Sequence, residues 1–386
     1  MPLFAQRGNP LGKDTEGFRG GLAAYLAADP NLSRDQKAEI SKEAAEYLAF
    51  HAGLSGKLQD EVAEIARLSY TARLAAYPDL LRFLQVQRKM ETGHAAAQAR
   101  WLEALRQMLV KSRARHFKTL VDRTEALISQ NTLYQSNAAH WKVSDPEFSF
   151  QGKPEPMFIF DNTDLSCRAY KDSTFIYATS GSYYPMSDRF EGRGGEVYWS
   201  RAGFSPDSCR TRLIDYSVNL KQGGYEAPEA ELVNKYLFPM SLRGRFTERI
   251  VASGPGRQSN YPQFVSESSI LSIKDIFPGM DIVGPFVQQG AKTHFGSGKR
   301  QAVLYVHEDQ VLRGRITASR FIFEKGRLSA PEAHFVMYME SDSMYNPAVS
   351  VRFDADKRVL HVGPMEKYGL DIPFIDTYHR LRMDFE

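Results

Sequence analysis

The stretch R-I-T-A-S-R-F-I-F-E-K-G-R-L-S-A-P-E-A-H-F-V-M-Y-M-E, Arg315–Glu340, has a counterpart 103 residues earlier. That counterpart is R-L-I-D-Y-S-V-N-L-K-Q-G-G-Y-E-A-P-E-A-E-L-V-N-K-Y-L, Arg212–Leu237. Aligned without a gap, each copy holds an apolar strand, a charged turn ending in glycine (Gly223, Gly326), a second strand start and Ala-Pro-Glu-Ala. The tetrapeptide is Ala227-Pro228-Glu229-Ala230 in one copy and Ala330-Pro331-Glu332-Ala333 in the other. Apolar positions coincide as well: Val218 with Phe321, Leu220 with Phe323, Leu232 with Phe335, and Val233 with Val336. Self-similarity of this kind marks repeated β-structure rather than a reaction. Proline fixes φ and removes a ladder donor, so the two Pro-Glu pairs read as a repeated turn.

Around this repeat, everything from Met157 onward reads as strands. Met157–Phe160 precedes Asp161-Asn162-Thr163-Asp164, a turn by composition, and Thr174–Thr179 ends at Ser180-Gly181. Ala302–His307 turns through Glu308-Asp309-Gln310, and Val349–Phe353 through Asp354–Lys357, each into another apolar run. Such short connections join antiparallel neighbours, whereas a parallel crossover within one sheet needs about a dozen residues. The expected fold is therefore α+β: a helical N-terminal domain, then an extended antiparallel β-meander or open jelly-roll with repeated layers. A parallel β-helix, which links strands of different sheets through short turns, is the alternative.

The front of the chain has a different texture. Residues 1–20 read as a mobile leader, 21–135 as the helical domain, 136–156 as a polar connector and 157–386 as the β-domain, with the boundary near 145. Ser33-Arg34-Asp35-Gln36 is a capping box opening a helix that stops at Gly53. Another helix spans roughly Lys57–Ala76, with Val62, Ile65, Ala66 and Leu68 inward. One long helix is expected after Gly93, with Trp101, Leu102, Leu105, Met108, Leu109, Phe117, Leu120 and Leu127 on its buried face. Its other side carries Arg100, Arg106, Lys111, Arg113, Arg115, Lys118 and Arg123 against Glu103 and Asp122. A solvated face is the ordinary reading of that excess, and a surface for anionic lipid or glycan is the functional one.

The 386 residues carry a formal charge of only +3, which gives no general affinity for nucleic acid. No apolar run is long enough for a membrane-spanning helix. Met1-Pro2-Leu3-Phe4-Ala5-Gln6 reads like the tail of a secretory signal, with an ordinary short N-terminal segment as the other reading. Phe374–Glu386 alternates like a strand and ends without a turn, so the β-domain reads as truncated there. Cys167 and Cys209 could pair in an exported protein if the fold brought them together, and are otherwise two buried thiols.

No motif specifies a reaction, and no catalytic residue, cofactor or metal is assigned. Phe295-Gly296-Ser297-Gly298-Lys299-Arg300 lacks the first glycine and the hydroxyl of a phosphate-cradling loop and reads as a hairpin. The nine histidines form no zinc pattern, and there is no G-x-S-x-G elbow. Asp161, Asp164, Asp188, Glu191 and Glu196 lie near Tyr183, Tyr184, Tyr198 and Trp199 in sequence, which glycoside cleavage would require, although turns and a solvated loop explain the same acids. In His334-Phe335-Val336-Met337-Tyr338-Met339 both alternating faces are apolar, so this strand is expected to be covered on both sides. The candidate ligand-binding residues are Phe335, Met337 and Met339, with Tyr183, Tyr184 and Trp199.

The turn-rich strands, Asp172-Ser173 and Asp342-Ser343 each opening a Tyr/Pro segment (Tyr183-Tyr184-Pro185, Tyr345-Asn346-Pro347), and the mid-strand ending carry a resemblance. Over about residues 157–386 the chain resembles large exported β-rich proteins of the Bacteroidetes. Their strand-rich part is similar to the open antiparallel jelly-roll of lipopolysaccharide-transport bridge proteins. The helical front departs from those bridges, and no functional residue carries over. The resemblance implies an exported, periplasmic or envelope protein; the strand apolar on both faces, together with the repeated layers, leads to a non-catalytic β-domain that holds or passes an amphipathic, lipid-like molecule, with lipid or glycan and envelope proteins as the expected partners. A glycan-binding or glycan-cleaving β-protein and a structural or adhesive scaffold are the alternatives.

Overall fold

The computed structural model describes residues 9–251, 259–268, 270–297, 299–324, 326–340, 342–365, 372–376 and 382–383. Among them, six α-helices (Thr15–Leu26, Arg34–Ala52, Gly56–Thr71, Leu81–Gly93, Ala95–Val110 and Ala114–Gln130) precede a long series of strands. The strand pairings are antiparallel throughout the registers that follow, so the β-helix alternative falls away. The fold is α+β, with a helical N-terminal part and a large antiparallel sheet. No helix among the described residues is long and apolar enough to cross a membrane.

The chain divides into two compact units. The first comprises the described residues up to Ala169 with Ala178–Gly192 and Val218–Gly223; the second comprises Tyr170–Tyr177, Arg193–Ser217 and the rest from Gly224.

In the first unit the helices start and stop where local chemistry directs. Ser33 and Gln36 form the capping box, with the Ser33 amide donating to Gln36 at 2.9 Å and the Gln36 amide to Ser33 at 3.2 Å. The leader reading is corrected from residue 9 onward. Leu11 is fully buried, and Asp14 caps a helix that begins at Thr15. Residues 1–8, and with them Met1–Gln6, lie outside the described residues. The single long helix is also corrected. It breaks at Lys111-Ser112-Arg113, where Ser112 takes φ 56° and the Arg113 amide closes onto Met108 O at 2.8 Å. No glycine announces this break, because the return bonds offset the left-handed conformation of Ser112. The expected apolar face holds across the break, with Trp101, Leu102, Leu105, Met108, Leu109, Phe117, Leu120 and Leu127 all buried.

No boundary falls near residue 145. The expected connector contains strands His140–Val143 and Ser149–Gln151, which pair with Met157–Ala169 in the same unit as the helices. His94 stacks on Phe148 at 4.5 Å, Phe148 meets Phe158 edge-on, and a side chain at Gly152 would press on Ala104. Arg123 of the last helix pairs with Asp188 at 2.7 Å. Helices and first strands thus share one core.

The second unit carries the repeat. Gly224–Asn234 and Arg327–Tyr338 are each one continuous strand, so the tetrapeptide is a bend within a strand and not the expected turn. In each, buried alanines flank an exposed Pro-Glu pair: Ala227 and Ala230 in one, Ala330 and Ala333 in the other. Against the following strand, register slips between Ala227 and Ala230 and again between Ala330 and Ala333. Proline, which cannot donate, sits where the ladder lapses. Beyond the bend the partner changes. Ser329 and Leu328 face Ile322 and Phe323, whereas Ala333 to Met337 face Ala318 to Gly314. In the earlier copy Glu226 faces Ser217, and Ala230 faces Leu213. A strand that changes neighbours at a bulge turns a corner between sheets.

These registers also correct the gap-free alignment. Since Ser217 is opposite Glu226 and Ile322 opposite Ser329, the short strand of the second copy is displaced by two residues relative to its long strand. A shift of two preserves the buried face, so the apolar pattern matched regardless. In the first unit, exposed Asp161 and Asn162 lie between buried Phe160 and Thr163 within the strand Met157–Ala169, repeating the same device where a turn was expected.

A buried ion cluster ties the early part of this second unit together. Arg201 donates to Asp172 and, at 2.6 Å, to Glu248, which is 1% exposed and also accepts from Thr174 at 3.2 Å. Burial pushes the Glu248 carboxyl above its ordinary range, with Arg201 pulling the other way. Removing one partner of such a pair costs about 3–5 kcal/mol, while apolar replacement of both is often neutral. Arg201→Met is expected to lower stability on denaturant unfolding by that order, and Arg201→Met with Glu248→Met to recover most of it. A double variant no more stable than the single one would contradict this assignment.

The corner itself gives a second expectation. Ala330→Leu overpacks a site with no exposure and is expected to cost about 1–3 kcal/mol, whereas Pro331→Ser, on the outside of the bend, stays within about 0.5 kcal/mol. Equal losses in the two variants would remove the corner model.

Candidate functional site

A groove of about 740 Å³ opens in the second unit between segments of the two repeat copies. From the first copy come Asn234, Tyr236 and Leu237, which follow the long strand. From the second come Phe323, Glu324, Gly326 and Arg327, the hairpin that precedes its long strand. Ile276 and Phe277, the turn Ala291–Thr293, and Ala202 to Phe204 complete it. The last group is positioned by a short 3-10 turn, Trp199–Ala202, which ends at Gly203 with φ 87°. A left-handed residue there turns Phe204 back, its amide meeting Trp199 O at 3.2 Å.

The wall is aromatic and aliphatic. Phe277 stacks on Phe323 at 6.0 Å, and Phe204 lies 5.9 Å from Tyr236. Tyr236 is 65% exposed, a large apolar ring left at the lip. Charges stay at the margin: Lys292, Glu324 and Arg327 are exposed, and Arg327 stands 3.9 Å from Asp354. Below the wall, Asn234 donates to Gln288 at 2.9 Å and Gln288 to the Cys209 sulfur at 3.4 Å, all three buried. Burial pushes the Cys209 thiol up to about 12, so it stays protonated near neutral pH, with the Gln288 hydrogen bond pulling the other way. No group of His, Cys, Asp and Glu able to hold a metal occurs among the described residues. Cys167 and Cys209 are buried and form no disulfide.

None of the six sequence-derived ligand residues lines this groove. Tyr183 is fully buried and donates to Leu133 O at 2.6 Å, and burial holds its hydroxyl protonated by raising its pKa. Trp199 is fully buried, its indole donating to Thr211 at 2.9 Å. Tyr184 packs under Arg189 at 4.3 Å and donates to Glu191 at 3.0 Å. Phe335 packs edge-on to Phe374, while Met337 and Met339 are 37% and 40% exposed. Cover on both faces of that strand therefore extends only over Phe335 and Val336.

Four of the five acids considered for glycan cleavage have partners, and the fifth, Asp161, is exposed on the strand Met157–Ala169. Asp164 accepts from the Ala178 amide, Asp188 pairs with Arg123 and Lys221, Glu191 holds Arg189 and Tyr184, and Glu196 lies near Arg210 and Arg212. These contacts tie the four acids into the surrounding structure.

Sequence reasoning missed Phe204, Tyr236, Ile276, Phe277 and Lys292. Five separate segments supply the groove, and two of them, Asn234–Leu237 and Phe323–Arg327, lie within the repeat, which was read for strands and turns and not for a site. Comparison with protein-family models, with curated proteins and with solved structures gives no match for this chain.

Next to the groove residue Thr293, His294 is buried and its imidazole is lowered to about 4, first by burial and then by Arg320. The unfolded chain takes up this proton near 6.5, so between about 6.5 and 4 it binds more protons than the folded one. Stability therefore falls as pH falls through that window, by up to roughly 3 kcal/mol from this group. Denaturant midpoints measured across it are expected to show the decline, and His294→Asn to flatten it. An unchanged slope in the variant would assign the acid sensitivity elsewhere.

Proposed function

We propose that the second unit is a non-catalytic binding module whose groove holds an amphipathic, lipid-like molecule, within an exported envelope protein. The observation that carries this reading is a groove of ligand size with an aromatic and aliphatic wall, an exposed Tyr236 at its lip and charge confined to the margin. Pockets of 300–1,000 Å³ with few polar groups are the usual form of small-molecule sites. Catalysis is disfavoured by the protonated Cys209 thiol and by carboxylates already committed to cations and amides. Stacking recognition of a glycan is disfavoured because Tyr183 and Trp199 present no face to solvent. The envelope setting rests on the resemblance of the strand-rich part.

Titration with 1-anilinonaphthalene-8-sulfonate tests the groove. Fluorescence is expected to rise on binding, and dodecanoic acid, but not maltotriose, to displace the dye. Tyr236→Ala, at an exposed position, is expected to weaken dye binding about tenfold without altering thermal unfolding. Displacement by maltotriose alone, or binding indifferent to Tyr236→Ala, would overturn the reading.

A further inference from the structure

The first unit holds a second cavity, a cleft of about 510 Å³ between the helix Ala95–Val110, the break that follows it, and the segment after strand Ser149–Gln151. Four cations line it: Arg100 from the helix, Lys111 and Arg113 from the break, and Lys153 from the segment opposite. Glu103 is the one acid in the lining; it is held by Arg106 at 2.8 Å and Gln107 at 2.9 Å, and Lys153 adds a weaker attraction to its carboxylate. The floor is apolar, with Ala104 and Met108 on the helix facing Pro154 and Pro156.

The basic excess over residues 100–123 can now be divided. Arg106, Lys118 and Arg123 are neutralised by Glu103, Asp79 and Asp188. Of the four cations that remain, three converge on this cleft, and Lys153 joins them from elsewhere in the sequence. Lys111 and Arg113 follow a helix carboxyl end, where positive charge offsets the dipole. That accounts for neither Arg100, in the body of the helix, nor Lys153, on the opposite wall. Like charges gathered around one concavity repel unless an anion joins them.

We infer that this cleft binds an anionic organic phosphate or sulfate. The planar guanidinium groups of Arg100 and Arg113 match tetrahedral oxyanions through paired N–H bonds, and the lysines add point charge. The proline and methionine floor accepts the organic part. A soluble phosphorylated molecule and an anionic lipid headgroup share this chemistry.

The test uses the full chain, with inorganic pyrophosphate followed by calorimetry and with phosphatidylcholine vesicles, with or without phosphatidylglycerol, followed by sedimentation. Arg100→Ala with Lys153→Ala is the site variant, and Arg115→Ala, a cation of the next helix outside the cleft, is the control. The expected result is binding of at least one probe, weakened about tenfold or more by the double variant and unchanged by the control. Pyrophosphate binding points to a soluble source, and vesicle binding confined to phosphatidylglycerol points to a headgroup. Loss of equal size in Arg115→Ala would mean diffuse attraction, and that result, or no binding of either probe, overturns the assignment. Both variants lie on the surface, and unchanged thermal unfolding separates lost binding from lost fold.

Discussion

The second unit depends on one backbone constraint: a strand that must pair with two successive neighbours has to bend without breaking. At Ala227–Ala230 and Ala330–Ala333 the bend is made by placing two residues side by side on the outer face. The alternation of a strand would send one of them inward; the register slip absorbs that conflict. In the two repeat copies the flanking residues are buried alanines, Ala227 and Ala230 in one and Ala330 and Ala333 in the other. Proline suits the outer position because its missing donor falls where no acceptor is aligned.

The groove follows from this geometry. Each corner commits the long strand to a second set of partners, so its ends and those of the preceding short strand open at different places. The exit of the first long strand at Asn234 and the hairpin entering the second at Gly326-Arg327 border the same space. The intervening strands Leu271–Phe277 and Lys292–Phe295 bring Phe277 and Thr293 to its sides. The cavity thus has its origin in both bent strands together, with lining residues that neither supplies by itself.

That origin explains what was legible in the sequence. The alternation of Leu232, Phe335 and their neighbours, and the helical spacing from Trp101 to Leu127, report burial directly, and the fold class follows from them. The corners were visible as Ala-Pro-Glu-Ala but read as turns, because proline and acidic residues serve both purposes. Only the register, which depends on partners far away in sequence, separates a bend within a strand from a chain reversal. The same ambiguity hid Asp161-Asn162. Ser112 gave no signal at all, since its left-handed conformation is supported by bonds to Met108 and Leu109 and not by its own chemistry. Among the candidate ligand residues, Tyr183 and Trp199 misled for a related reason. An aromatic ring with a polar tip reads the same whether the tip meets a ligand or, as here, Leu133 O and Thr211.

The use of polar groups also bears on what the molecule can do. Arg201, Asp172 and Glu248, the Asn234–Gln288–Cys209 chain, and the pairs around Asp188 place charge and hydrogen-bonding capacity inside the two units. Buried groups of this kind are costly unless satisfied, and here the partners lie within the fold. The two concave sites differ from these clusters in opposite ways. In the groove of the second unit the wall is mainly aromatic and aliphatic, with Asn234 and Thr293 as its uncharged polar members besides the Tyr236 hydroxyl, and in the cleft of the first four cations are set against one acid, Glu103. A surface short of water-compatible groups and a surface short of countercharge each lower their free energy by taking up a complementary molecule. The molecules that would complement the two sites are therefore of different kinds.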